Sequence, residues 1–268
     1  MPTSSGPSAR VICDSISPRG HRLTTIEVTL HCFVLAELNT HSAFFRNSAS
    51  PRAIPVRKQI ERIMMSPALP LSWPAEQRGM QGGEDLSPDD TESAKEEWVR
   101  ARDDAVEHAE RLVALGVHKS VVDKVLEPFM WHTVIVSATD WDEFWGQWCS
   151  PLAQPELRAA AEAMKAAYDG SKPAYLGYGE WHLPFLRPED AFELGTAKKV
   201  SVARCARVSY LTHDGVADVE ADLALYEKLV SADHPHASPL EHVATPASGR
   251  CPGNFTGWHQ LRHTVLPG

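Results

Sequence analysis

The chain has no long apolar run, no C-x-x-C pair and no excess of basic residues, and each absence removes a class of protein. Its apolar stretches, such as Val134-Ile135-Val136, are far too short to cross a bilayer. The five cysteines (Cys13, Cys32, Cys149, Cys205 and Cys251) are scattered and odd in number. That pattern argues against a disulfide framework or a cysteine zinc site and fits a reducing compartment. With 26 Lys and Arg against 35 Asp and Glu, the formal charge is −9. A nucleic-acid-binding surface needs a net basic face, so that partner is not expected. The first residues are polar and lack a basic region followed by an apolar stretch. No secretory signal and no membrane partner are therefore expected, and the expected location is cytoplasmic.

What is present is an ordinary globular composition, 43% hydrophobic and 23% charged, with eight Trp and 20 Pro. A chain of 268 residues can bury a sizeable core. Residues 24–38 begin with β-branched alternation, read as a strand passing into a short helix or a second strand. Residues 66–91 are rich in Pro, Gly, Asp and Glu and read as a long loop. Periodicity predicts a helix over 92–115, with Ser93 as a cap and Gly116 ending it. Further helices are predicted over 118–127, over 155–168 behind Pro155, and over 219–230. A buried strand is predicted over 131–138, with Thr139 or Asp140 capping a following helix. Residues 171–200 read as irregular, and AKKVSVARCARVSY as a strand or a helix start. The expectation is one domain of mixed α and β class, 1–268, with a loop excursion at about 66–91.

The densest polar cluster lies in 37–55 and holds Glu37, His41, Arg46, Asn47, Ser50 and Arg52. Arginine forks suit phosphate oxygens, and serines with backbone N–H groups complete a phosphate cradle. The alternative is a solvated, hydrogen-bonded loop. His234, His236, Glu241 and His242 raise a metal site, but H-P-H-A-S-P-L-E-H is not a standard ligand spacing, and no metal is expected. Gly79 to Gly83 lacks the Lys and the strand–helix context of a phosphate loop. Trp141, Phe144, Trp145 and Trp148 have helical spacing, which suits a core or subunit-interface stripe better than a ring-stacking site. The carboxylates of 92–104 read as a solvated helix face.

Thr40-His41-Ser42, Ser50 and Arg52 form T-H-S-x7-S-x-R, which resembles the R-H-R-x7-S-x-R signature of flavin-dependent thymidylate synthases. Ala206-Arg207-Val208-Ser209 is similar to that family's A-R-V-S block. His236 with Ser238-Pro239-Leu240-Glu241-His242 resembles its H-x-[ST]-P-[FL]-E-H block. Gly116-Val117 with Leu126 and Pro128, and Ala153-Gln154 with Glu156, resemble two more segments. The block order and a closing G-N-F-x-G-W-x-Q-x-R, Gly253 to Arg262, look like a permuted subgroup known from phage and actinobacteria. Uridylate 5-methylases of nucleoside-antibiotic biosynthesis belong to the same family and look similar.

The resemblance implies an α+β fold with a β-sheet flanked by helices. It implies a homotetramer with active sites shared between chains. It implies FAD as cofactor, with NADPH as reductant and methylenetetrahydrofolate as carbon donor for methylating C5 of dUMP or UMP. By matching position, Ser50 and Arg52 would cradle the nucleotide, Arg52 on its phosphate. Glu37 sits where the family has a nucleotide-touching Gln. His41 and Asn47 would lie between flavin and nucleotide, with Ser50, Arg52 and His41 as the catalytic set. Thr139, Ser209, His236, Ser238 and Glu241 would line the flavin. Lys124 or Asp123 occupies the place of a phosphate-binding Arg, and Gln260 and Arg262 would complete the pocket. Three family arginines are replaced by Thr40, Ser42 and Trp148. Arg46, Arg57, Lys58 and Arg262 are the candidates to compensate, Arg46 first because it lies inside the motif. The competing reading is a paralogue that binds flavin and nucleotide without turnover.

Overall fold

A computed structural model describes residues 6–215, 218–249, 251 and 253–266. The first five residues, part of the stretch read as lacking a secretory signal, lie outside that set. β1 (Ser8–Ile16) and β2 (Arg22–His31) form an antiparallel hairpin, with a register shift between Val11 and Cys13. After a 3-10 turn come α1 (Leu35–Thr40), the short β3 (Phe45–Ser48) and α2 (Val56–Met65). α3 (Pro88–Ala114) and α4 (Lys119–Val122) precede β4 (Trp131–Ala138). α5 (Asp142–Trp148), α6 (Pro155–Gly170), β5 (Ala174–Tyr175), α7 (Leu194–Arg207) and α8 (Val219–Val230) follow. β6 (Ala244–Pro246), β7 (Trp258–Gln260) and α9 (Arg262–Val265) close the described chain.

The main sheet runs β3-β4-β2-β1-β5, antiparallel except for β1 against β5. Its centre is covered on both sides, so β4 reads as a nearly continuous apolar run. On one face Ile26, Val28, Val134 and Val136 pack against Phe144 of α5 and against Leu157, Ala160 and Met164 of α6. Each such fully buried side chain contributes about 1.5–3 kcal/mol. On the other face Ile135 meets Cys205 of α7 and Val208 just beyond it. Cross-strand pairing places Asn47 opposite Ile135, so β3 carries the motif segment to that second face.

The strand over 131–138 and the helix over 219–230 have the predicted bounds. Other expectations are corrected. α3 starts at Pro88, and its cap is Ser87, whose hydroxyl accepts from the Asp90 amide; Ser93 lies within the helix and donates to the Asp89 carbonyl. Pro at the first position with two acidic residues behind it fits a helix N-terminus, although the same residues resemble a loop in sequence. Thr139 and Asp140 cap no helix: α5 begins at Asp142 without a side-chain cap. The helix predicted over 118–127 is α-helical only to Val122 and then continues as 3-10 turns that run through Pro128 to Phe129. AKKVSVARCAR lies within a helix, and α7 extends back to Leu194. The tryptophan stripe of α5 packs in the core, with Trp141 stacked on Trp145 at 5.0 Å. Among the described residues no helix is long and apolar enough to cross a membrane.

Candidate functional site

Asn47 joins three segments that are far apart in sequence. Its amide Nδ2 donates to the Cys205 carbonyl at 2.7 Å, and its Oδ1 accepts from the Ser238 hydroxyl at 3.2 Å. Two residues past β3, the Ser50 amide donates to the Ser209 carbonyl at 3.0 Å. The T-H-S, A-R-V-S and S-P-L-E-H segments therefore meet on the second face of the sheet. The chain's tail reaches the same place. Gln260 donates to the Glu241 carbonyl at 2.8 Å, and Arg262 pairs with the Glu241 carboxylate. On the other flank Asn254 donates to the Ser42 carbonyl at 2.7 Å, and the Thr256 amide to Thr139 Oγ1 at 3.0 Å. Asn47, Ser50, Thr139, Ser209, Ser238, Glu241, Gln260 and Arg262 are thus linked through this contact network.

Six expected residues, Glu37, His41, Arg46, Arg52, Lys124 and His236, stand outside these contacts. Lys124 is exposed, bonds Glu127 at 2.5 Å and sits between Val122 and Leu126, which pack with α2 and α3. Its neighbour Asp123 is fully buried with both carboxylate oxygens unpartnered, and burial raises its pKa to about 6. His236 is exposed, and its backbone amide bonds the Leu229 carbonyl.

The cations are disposed unevenly. Arg46 donates to the His41 carbonyl at 2.7 Å and to the Leu38 and Asn39 carbonyls at 3.4 Å, closing the C-terminal end of α1. The expectation that Arg46 compensates for the missing arginines meets this occupied fork. Arg207 is held by Asp222 at 2.6 Å, on α8. Arg52 is exposed and forms no hydrogen bond or ion pair among the described residues. His41 is buried edge-on between Phe44 and Phe144, and that burial lowers its pKa. Glu37 Oε2 and Trp148 Nε1 are buried without partners, as are Gln260 Oε1 and His263 Nε2. The last two flank Gly253: a Cβ there would lie 3.3 Å from Gln260 Oε1 and 3.5 Å from His263 Nε2.

Beneath the turn at Ser238–His242 runs a buried polar chain. Ser15 Oγ meets His182 Nδ1 at 2.8 Å, His182 Nε2 meets Thr25 at 2.8 Å, and Thr25 meets Ser137 at 2.6 Å. Ser137 then meets His242 Nδ1 at 2.8 Å. Burial lowers both imidazole pKa values to about 3, so both rings are neutral near pH 7. A neutral imidazole donates from one nitrogen and accepts at the other. The hydroxyls consequently align in one direction, and both rings carry their proton on the same-named nitrogen. His242 Nε2 is buried without a partner at the end of this chain.

A cavity of about 730 Å³ adjoins the motif cluster, between the sheet and α2; among its lining residues the Ile54 amide bonds the Ser50 carbonyl, and Tyr210 follows Ser209. None of the expected site residues lines it; Thr29, Lys58, Arg62, Trp131 and Tyr210 do. Of these, only Lys58 stood out in the sequence, as a spare cation. Beside the cavity, ligand-type atoms of Glu27, His213 and Asp214 lie within 4.8 Å of one another. Arg10 already bonds both carboxylates of that trio.

The sheet flanked by helices is a thymidylate synthase-like fold of mixed α and β class, as the sequence resemblance implied. It is shared with the UMP/dUMP methylase PolB from Streptomyces cacaoi bound with 5-Br UMP. That match has a TM-score of 0.51 and 17% identity, covering 62% of this chain and 89% of that one. The same methylase bound with 5-Br dUMP gives a TM-score of 0.50 at 16% identity, over 62% of this chain and 90% of that one. No protein-family model matches the chain, and no curated protein does.

Proposed function

We propose that this protein methylates C5 of the uracil ring of dUMP, UMP or both, taking the carbon from methylenetetrahydrofolate and the electrons from NADPH. The observation that carries the reading is the meeting of the three motif segments at Asn47 and Ser50, on a fold shared with a methylase bound to bromouracil nucleotides. FAD, when bound, supplies the redox chemistry between reductant and carbon donor.

The residues at hand fit polar, ring-bearing ligands. Buried polar atoms without partners cost about 1–3 kcal/mol each, and Glu37 Oε2, Trp148 Nε1, Gln260 Oε1 and His263 Nε2 are four of them. Ser209, Ser238, Glu241, Thr139, His41 and Asn47 would hold the flavin. Asn47 would do so mainly by position, since its amide already has two partners. Arg52, exposed and unpaired, presents its whole fork to a phosphate. Ser50 lies beside it, and Glu37 would accept from the uracil N–H. Uracil C5 is weakly nucleophilic, so the pocket must supply donors to the ring oxygens as charge develops there. Arg262 and His263 are candidates. The exposure of Arg52 and His236 suits a site completed by another copy of the chain in a homotetramer.

A second reading, flavin and nucleotide binding without turnover, is favoured by the commitment of Arg46 to backbone carbonyls. One experiment separates them. Purified protein is incubated with FAD, NADPH, methylenetetrahydrofolate and equimolar dUMP and UMP, and the nucleotides are weighed by mass spectrometry. A gain of one CH2 on either nucleotide supports methylation, and the product ratio identifies the preferred sugar. Unchanged masses with flavin bound would establish the second reading.

A further inference from the structure

The cavity against α2 has its own chemistry. Thr29 and Thr133 face each other across β2 and β4 on its floor, hydroxyl to hydroxyl at 3.0 Å. Ile54, Ile63, Phe129 and Met130 make apolar walls, and Trp131 and Tyr210 add aromatic surface. A volume of about 730 Å³ suits a drug-sized ligand. At one end, Arg10 bonds Glu27 at 2.9 and 3.1 Å and Asp214 at 2.6 Å, while His213 contacts Glu27. Arg10 is thus fully engaged by two carboxylates.

The cations that α2 contributes are not engaged in this way. Lys58 and Arg62 stand one turn apart on α2, where like charges repel. Lys58 forms no hydrogen bond or ion pair among the described residues. Arg62 is partly buried, and among the described residues its side chain hydrogen-bonds only Gln59 Oε1, at 3.4 Å. Burial lowers its pKa with no carboxylate acting against it. A partly desolvated cation without a counter-ion is costly. Leu211, on the cavity rim, has a left-handed backbone (φ 54°), a conformation costly for a bulky residue and concentrated at ligand sites. The indole N–H of Trp131 is buried without a partner as well.

We propose that this cavity is a ligand site of its own, adjoining the motif cluster but lined by none of its expected residues, for a planar aromatic molecule bearing a phosphate or carboxylate. The acid group lies on Arg62 and Lys58, and the ring lies along Trp131, Tyr210 and the apolar wall. The inference stands independently of the methylation reading.

The test is a fluorescence titration of the whole protein with anilinonaphthalene sulfonate, an aromatic ring with one fixed anionic group. Saturable binding is expected, weakened about tenfold or more by Arg62→Gln with Lys58→Gln, the loss of a charge-assisted pair. Arg52→Ala is expected to leave it unchanged. Equal affinity for wild type and the double variant would overturn the site, and an equal loss in Arg52→Ala would overturn its separateness. Should the double variant not fold, Lys58→Gln alone, at an exposed position, must weaken binding, and wild-type affinity must fall with added salt. Competition by UMP and by pteroylglutamate then distinguishes a phosphate source from a carboxylate source.

Discussion

Arg204 and Arg207, one turn apart on α7, are gripped by carboxylates: Arg204 by Asp190 and Asp222, Arg207 by Asp222. Lys58 and Arg62, spaced four residues apart on α2, meet no carboxylate among the described residues. Arg207 lies inside the segment that resembles a functional signature, with Arg204 just before it, and the second pair lies outside every recognised segment. A cation in a motif is therefore not automatically a cation free for a ligand. What decides is whether the fold brings a carboxylate or a carbonyl within reach. Among the described residues the motif cation left unengaged is Arg52.

The comparison can be broken at several points, from the largest effect down. Arg204 is nearly fully buried, and Arg204→Ala would strand Asp190 as a buried charge and leave Asp222 with Arg207 alone. The expected loss is about 3–5 kcal/mol of unfolding free energy, measured by urea titration; a loss below about 1 kcal/mol would mean these pairs are not holding α7 to α8. Arg46→Ala removes the donor to three carbonyls at the end of α1. It should cost about 1–3 kcal/mol in the same titration. If instead it weakens nucleotide binding with stability intact, Arg46 belongs with the ligand cations and the contrast fails.

Asp123 sharpens the comparison from the opposite sign, as a buried carboxylate with no cation in hydrogen-bond contact. Its pKa is raised from 3.8 to about 6 by burial. The folded state favours the neutral acid, so this contribution is present below pH 3.8 and is lost as pH rises through about 6. Asp123→Asn should therefore stabilise the protein above neutrality by on the order of 2 kcal/mol. Near pH 4 it should do little. Thermal melts of both proteins across that range check the sign; stabilisation confined to acid pH would contradict it.

How far the sequence reaches can be judged from particular elements. β4 is legible because both of its faces are covered, leaving WHTVIVSA as an unbroken buried run. β1 is not: most of SARVICDSI is only partly buried, and Asp14 serves Arg22 and Thr24 across the hairpin, so no clean alternation survives. α2 is missed for a related reason. Val56, Ile60 and Ile63 of VRKQIERIMM face the core, but Gln59 is buried among them and the helix is too short to repeat the pattern, so it does not stand out.

The candidate site divides the same way. The motif residues were visible because each segment has its own local pattern, and the fold gathers most of them. Their partners were not visible, since Asp222 stands 15 residues from Arg207 and Glu241 stands 21 from Arg262. The buried chain from Ser15 through His182 to His242 left no sequence signal, because its serines and threonines alternate with apolar residues as any strand's would. Nor could a cavity built from α2, the start of β4 and the segment after Ser209 be read before those elements were placed together.

The account's central claim is that the gathered motif segments form a nucleotide site whose free cation is Arg52. The most direct measurement is an equilibrium titration of UMP into flavin-loaded wild type and Arg52→Ala. Loss of one charge-assisted contact, about 1.5–3 kcal/mol, should weaken UMP binding by about tenfold to a hundredfold with flavin content unchanged. Equal UMP affinity in the two proteins would contradict the claim.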